Sequence, residues 1–130
     1  MRPEGFQRFC RIRRRREFLR VQGRGQKVHV RQFLVFASRR RFQSPSGGAA
    51  HARELAPTRI GVTVTRKVGN AVCRNRIKRL VREAFRRRRG DFDPGWDMVW
   101  IAKRGAADVV FSEVIAGMKV VSRHLGDRRR

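Results

Sequence analysis

The chain has 130 residues, 40% of them hydrophobic, and carries 34 lysines and arginines against 10 acids, a formal charge of +24. That length suits one domain with a modest core and excludes both two ordinary domains and a wholly disordered tail. Such a field destabilises a compact chain by self-repulsion, so a polyanionic partner is expected: nucleic acid, an anionic membrane or an acidic protein.

Arginine dominates; the lysines are Lys27, Lys67, Lys78, Lys103 and Lys119. Arginine forks onto phosphate and stacks on bases, which favours nucleic acid. A GC-rich genome also inflates arginine, but it leaves the excess of base over acid unexplained. The two cysteines, Cys10 and Cys73, show neither zinc spacing nor a CxxC pair, so two free thiols in a reducing compartment are expected. No apolar run approaches a membrane span, and the basic N-terminus lacks the apolar stretch of a signal peptide. The expected location is the cytoplasm.

In chain order, residues 1–9 read as a loose arm. Arg11 to Val21 places Ile12, Phe18, Leu19 and Val21 among arginines and predicts a short helix, ended by Gly23-Arg24-Gly25. Val28 to Ala37 predicts a strand, with Phe33 and Val35 on one face and Leu34 and Phe36 on the other. Ser38 to Pro57 has no periodicity and reads as a flexible insertion. Arg59 to Arg66 is the cleanest strand, Ile60, Val62 and Val64 alternating with Gly61, Thr63 and Thr65. A helix follows from Asn70, a good N-cap, to about Arg89; its apolar stripe is Cys73, Ile77, Leu80, Val81, Ala84 and Phe85. Gly90, Pro94 and Gly95 mark an exit loop. Asp97 to Ala102 predicts a strand buried on both faces. A last helix runs from about Asp108 or Ser112 to Leu125, and residues 126–130 form a basic tail. The order predicts a single α+β domain, a mixed sheet with helices packed on it.

On a helical wheel the stripe centres on Ile77, with Asn75, Arg79, Arg82 and Arg86 opposite, Arg74 and Lys78 on one flank, and Arg76 and Arg87 on the other. Arg66 to Arg89 holds eleven basic residues and one acid, Glu83. A merely solvated face mixes its signs, and one acid cannot neutralise this set. Thr65-Arg66-Lys67, with the open amides after Asn70, makes a phosphate cradle. Arg74-Asn75-Arg76 sets an amide, both donor and acceptor, between two guanidiniums, which suits a base edge or a ribose hydroxyl. A DNA major groove also accepts such a helix, but no helix-turn-helix pattern precedes it.

The run Arg59-Ile-Gly-Val-Thr-Val-Thr-Arg-Lys-Val-Gly-Asn-Ala-Val-Cys-Arg-Asn-Arg-Ile-Lys-Arg-Leu-Val-Arg-Glu-Ala-Phe85 resembles the signature of the bacterial ribonuclease P protein family, including its Arg-Asn-Arg motif. The resemblance extends to Arg-Glu-Phe at Phe18, Arg-Gln-Phe at Arg31 to Phe33, and Trp100-Ile-Ala-Lys-Arg. It implies an α/β sandwich with a left-handed βαβ crossover. It implies a ribonucleoprotein that removes the 5′ leader of precursor tRNA, with the active site and Mg²⁺ on the RNA subunit. One monomeric protein per RNA is expected. By position, Arg66, Lys67, Asn70, Arg74, Asn75, Arg76, Lys78, Arg79 and Arg82 would bind the ribonuclease P RNA. Phe18, Arg31 and Phe36 would line the leader groove. The family often has tyrosine at Phe36 and an aromatic at Gln22. Independently, aromatic platforms beside basic groups suit single-stranded nucleic acid, although Phe18 and Phe36 also suit a plain core.

Little points to chemistry on the protein itself. His29, His51 and His124 are scattered. Asp91, Asp93 and Asp97 cluster in the exit loop, a weak metal pattern that a solvated turn explains better. Metal-dependent phosphodiester hydrolysis wants converging carboxylates, and none are spaced to converge. No catalytic or metal-binding protein residue is expected.

Overall fold

A computed structural model describes residues 10–40 and 57–127. The N-terminal arm, most of the expected insertion with His51, and Arg128 to Arg130 lie outside the described residues. The elements in chain order are α1 (Arg15–Arg24), β1 (Gln26–Val30), β2 (Phe33–Arg39), β3 (Arg59–Thr63), α2 (Ala71–Arg88), β4 (Trp96–Ala102) and α3 (Phe111–Asp127). Short 3-10 turns follow α2 at Arg89–Asp91 and precede α3 at Arg104–Asp108.

The sheet has the order β1-β2-β4-β3. β1/β2 and β2/β4 are antiparallel, while β3/β4 is parallel with α2 as its connection. The sheet is therefore mixed and the fold is α+β, as expected. Alternation along each strand sorts its side chains between two faces. Val28, Val30, Phe33, Val35, Ala37, Ile60, Val62, Met98, Trp100 and Ala102 join Ile77, Val81, Ala84 and Phe85 of α2 and Val114, Met118, Val121 and Leu125 of α3 in the main core. Phe33 meets Trp100 edge-on at 5.3 Å between ring centres. The other face carries α1, where Ile12, Val21 and Val99 are buried, with Phe18, Phe36 and Ile101 packed against them.

Several elements differ from the sequence reading. The expected strand Val28 to Ala37 is a hairpin turning at Arg31-Gln32, where Gln32 donates to Glu113 at 2.9 Å and its carbonyl accepts from the Lys103 amide at 2.8 Å. No non-glycine residue has a positive φ among the described residues, so the turn needed no Gly or Asn to announce it. The first helix starts at Arg15 because Arg11 to Arg14 stays extended, and the Ile12 amide donates to Ile60 O on the edge of β3 at 2.9 Å. Pairing satisfies that backbone, and Ile12 is buried on the α1 face of the sheet. The helix then passes through Gly23 and ends at Gly25, whose amide donates to Val21 O. Ser38 and Arg39 extend β2 rather than opening the insertion, and the Arg40 amide donates to Gly95 O. β3 ends at Thr63, and Thr65 to Val68 form a turn. Gly95, with φ 97°, takes a left-handed conformation after Pro94 that only glycine adopts cheaply.

The largest correction concerns the partners of Asp97, read both as the first residue of a buried strand and as part of a solvated acidic turn. It stands on β4 on the α1 face, beside Arg59 of β3 and Ser38 of β2, and is fully buried. Arg59 grips both carboxylate oxygens at 2.9 Å, Arg20 of α1 donates at 3.1 Å, and Arg40 lies at 3.4 Å. The same Arg59 reaches Glu17 of α1 at 2.7 Å. Hydrogen bonding to Asp97 holds the Arg59 guanidinium above its ordinary pKa against the cost of burial. Asp91 is paired with Arg88 at 2.6 Å, and the Asp93 carbonyl accepts from Thr58.

Removing one partner of a buried, hydrogen-bonded ion pair costs about 3–5 kcal/mol, because the remaining charges stay desolvated. Asp97→Asn keeps the shape and one acceptor, so a loss near the lower end, about 3 kcal/mol, is expected in urea unfolding with an unchanged m-value. A loss under about 1 kcal/mol would show that Asp97 does not fasten α1 to the sheet.

Candidate nucleic-acid interface

α2 is built as expected. Asn70 caps it, its side-chain oxygen accepting from the Cys73 amide at 2.9 Å. Ile77, Val81, Ala84 and Phe85 are buried, so the helix is anchored along one stripe to the sheet. On the other side Asn75, Arg76 and Arg79 are exposed, and Arg74, Lys78 and Arg82 are half-buried. Arg66, Lys67 and Asn70 are exposed where the turn after β3 enters the helix. The structure therefore brings all nine residues expected to bind the RNA subunit onto α2 and its N-terminal approach.

Local contacts set the state of these groups. Arg76 donates to Val109 O ahead of α3, which fixes its stem across the helix. Burial, then the nearby Arg11 charge, lowers the Arg82 pKa from its ordinary value, although a guanidinium stays charged at any physiological pH. Glu83 binds Arg86 through two hydrogen bonds and Arg87 through one. Its own pKa is depressed, first by the hydrogen bond from Arg86. This acid is thus spent on Arg86 and Arg87, leaving the cations nearer the N-terminus without a carboxylate on their own helix.

The α1 face holds a second arrangement. Strand register sets Lys27, Phe36, Val99 and Gly61 in one row across the sheet, and His29, Leu34, Ile101 and Thr63 in the next. Phe18 of α1 lies against Gly61: a Cβ there would stand 2.6 Å from its ring, so Gly61 is what admits the aromatic. Lys27 Nζ stands 5.6 Å from the centre of the Phe36 ring. Phe18 and Phe36 are both half-buried, as are Leu34, Ile101 and Thr63, which leaves an open apolar trough with cations at its side. Phe18 and Phe36 are brought together. Arg31 is not with them: it sits in the hairpin turn, 85% exposed and 3.9 Å from Glu113 of α3. Gln22 is half-buried on α1.

The sequence reading missed the end of this trough. Glu17, Arg20, Arg24, Ser38, Arg39, Arg40 and Arg59 line a cleft of about 720 Å³. Five arginines and one acid, Glu17, line it, and buried Asp97 pairs with Arg20, Arg40 and Arg59, so the cleft is cationic. Arg20 and Arg24, four apart on one helix, were a visible signal; the arrival of Arg39, Arg40 and Arg59 from two strands was not. Among the described residues no group of three or more His, Cys, Asp and Glu is placed to hold a metal ion, and no helix is long and apolar enough to cross a membrane.

Comparison with known proteins identifies the family. The family model of Ribonuclease P matches residues 6–126. The chain is 40% identical over 111 residues to the ribonuclease P protein component of Shouchella clausii, covering 85% of this chain and 81% of that one. It is 36% identical over 120 residues to the component of Exiguobacterium sibiricum, covering 92% and 93%. Among solved structures, the RNase P protein of Staphylococcus aureus superposes with a TM-score of 0.70 at 28% identity, covering 89% of this chain and 94% of that one. That of Thermotoga maritima superposes at 0.69 and 30%, covering 87% and 96%. With its sheet order, its capped basic helix and these matches, the chain belongs to the family of ribonuclease P protein components, which implies a part in processing the 5′ end of tRNA.

Proposed function

We propose that this chain is the protein subunit of a bacterial ribonuclease P, acting in the cytoplasm as one copy per RNA. In this reading α2 binds the catalytic RNA, and the trough under α1 binds the 5′ leader of precursor tRNA. The observation that carries the first part is the division of α2: one stripe is fixed in the core, and the other presents cations from Arg66 to Arg82 to solvent. A polyanion binding there neutralises charge without rearranging the helix, so affinity is strong and salt-dependent. The Asn75 amide and the guanidiniums beside it recognise ribose hydroxyls and base edges.

Phe18, Phe36, Leu34 and Ile101 support the second part. An extended single strand stacks bases on aromatic carbon and sets its phosphates against cations. Lys27 above Phe36 and the arginines of the 720 Å³ cleft supply those cations. Phe36 carries no hydroxyl, so it stacks without fixing a base edge. Arg31 meets at most a peripheral part of the substrate, because its turn lies beside α3. The described residues do not fit a Mg²⁺ site: Asp97 is enclosed by arginines and Asp91 is paired with Arg88. Mg²⁺ and the bond cleavage belong to the RNA and its substrate, and the protein's part is to bind and position.

Reconstitution with a bacterial ribonuclease P RNA tests the whole reading. At low Mg²⁺ the protein is expected to stimulate cleavage of precursor tRNA; absence of stimulation would refute it, and cleavage by protein alone would point to a stand-alone nuclease. Arg79→Ala is expected to weaken binding of the RNA subunit and lower the salt slope by about 1, as for one lost phosphate contact; an unchanged slope removes Arg79 from the interface. Phe36→Ala is expected to reduce affinity for precursor with a leader by about 1 kcal/mol, with little change for mature tRNA. Equal losses for both substrates would exclude a leader role.

A further inference from the structure

A surface made only for phosphates has no use for exposed apolar carbon, yet the basic side of α2 contains some. A shallow hollow of about 480 Å³ is lined by Arg79, Leu80, Arg82, Glu83 and Phe111. Leu80 and Phe111, the latter the first residue of α3, are only partly buried where they pack on the core, and they form its floor. Arg87 stands at its side. Its guanidinium lies 5.2 Å from the centre of the Phe111 ring, and its Nε donates to Glu83 at 3.2 Å. Despite both contacts the Arg87 side chain remains 58% exposed.

From this arrangement we infer that Leu80, Arg87 and Phe111 form a pocket for one unpaired nucleobase of the RNA that α2 grips. The inference rests on the reading of α2 as an RNA-binding helix and adds to it a subsite of different chemistry. A nucleobase matches the hollow on both counts, with apolar faces for Leu80 and Phe111 and a phosphate on either side for Arg79 and Arg82. Arg87 is a planar cation already held by Glu83 beside the Phe111 ring, so a base seated against Leu80 and Phe111 meets it at the rim and orders little more of the protein. The base must be unpaired, since a helix hides its base faces in the stack. An apolar side chain from a partner protein would fit the floor but would leave the surrounding cations unanswered.

Two conservative variants separate stacking from charge. Arg87→Lys keeps the charge and loses the plane; Phe111→Leu keeps apolar volume in the core and loses the ring, with its urea midpoint checked against wild type. Each is titrated with ribonuclease P RNA over a range of salt, and the complexes are probed with base-reactive reagents at nucleotide resolution. Stacking on one base predicts about fivefold weaker binding for each variant at an unchanged salt slope. It also predicts that one unpaired nucleotide shielded by wild type becomes reactive in both. Wild-type affinity and an unaltered reactivity pattern would overturn the pocket, as would wild-type affinity for Arg87→Lys beside a lower salt slope for Arg87→Ala, which marks a phosphate contact. Loss of slope in Arg79→Ala alongside a silent Arg87→Lys would sink the pocket alone. A wild-type protein that does not bind the RNA would sink the reading of α2 with it.

Discussion

The arrangement on the α1 face depends on one buried carboxylate. Asp97 contributes charge to a strand that otherwise reads as core, and it gathers Arg59 from β3, Arg20 from α1 and Arg40 from the end of β2. The bidentate grip of Arg59 fixes a planar geometry that a lysine could not reproduce. Glu17 on α1 then shares the same guanidinium, so α1 is fastened at two points one helical turn apart. The helix offers little apolar surface of its own: Val21 is its buried residue. Ion pairing and the packing of Val21 and Phe18 together set where α1 lies. Arg20 is 46% exposed and its share is screened by solvent, whereas Arg59 and Arg40 are largely sequestered.

Such a clamp suits a protein of this charge. Crowded guanidiniums repel one another, and the Arg40 pKa is lowered by its own burial and by Arg59 and Arg20, while Asp97 opposes the shift. A buried acid converts part of that repulsion into a defined contact and leaves the rest of the cleft positive. In α2 the same problem is handled differently. Its single acid, Glu83, holds Arg86 and Arg87 near the C-terminal end and leaves Arg74, Lys78, Arg79 and Arg82 without a carboxylate on their own helix. One basic surface is thus rigid through burial, the other through the apolar stripe of the helix that carries it.

What the sequence disclosed followed from period. The alternation of Ile60 and Val62 and the three-four spacing of Ile77, Val81, Ala84 and Phe85 are local signals, and both became core as expected. Asn70 declared its cap by residue type alone. The failures were non-local. Arg31-Gln32 turns the chain without any residue that favours turning, because Gln32 is held by Glu113 and Lys103, far along the chain. Asp97 resembled a loop acid because its partners arrive from α1 and β3, and only the parallel register of β3 on β4 sets Arg59 beside it. The same holds for Ile12, whose spacing suits a helix until the edge of β3 offers a better partner. Of the residues expected to contact RNA, those on one helix were legible as a set, while Phe18 and Phe36 needed the fold to meet and Arg31 did not join them.

The two basic surfaces lie on opposite faces of one sheet, and β3 connects them. Arg59 at its start belongs to the Asp97 clamp in the cleft, and the chain beyond Thr63 passes through Arg66 and Lys67 directly into α2. Five residues of strand at about 3.3 Å each span about 17 Å. That span is held by backbone pairing to β4 along its whole length, with Gly61 at its middle receiving Phe18. On the proposed reading, the separation between the grip on the catalytic RNA and the trough for the leader is therefore a property of a paired strand rather than of a linker. In that reading the protein assists cleavage by geometry, because the paired strand sets how far the leader lies from the RNA. A change in the pairing of β3 would shift that distance even with every RNA-contacting side chain intact.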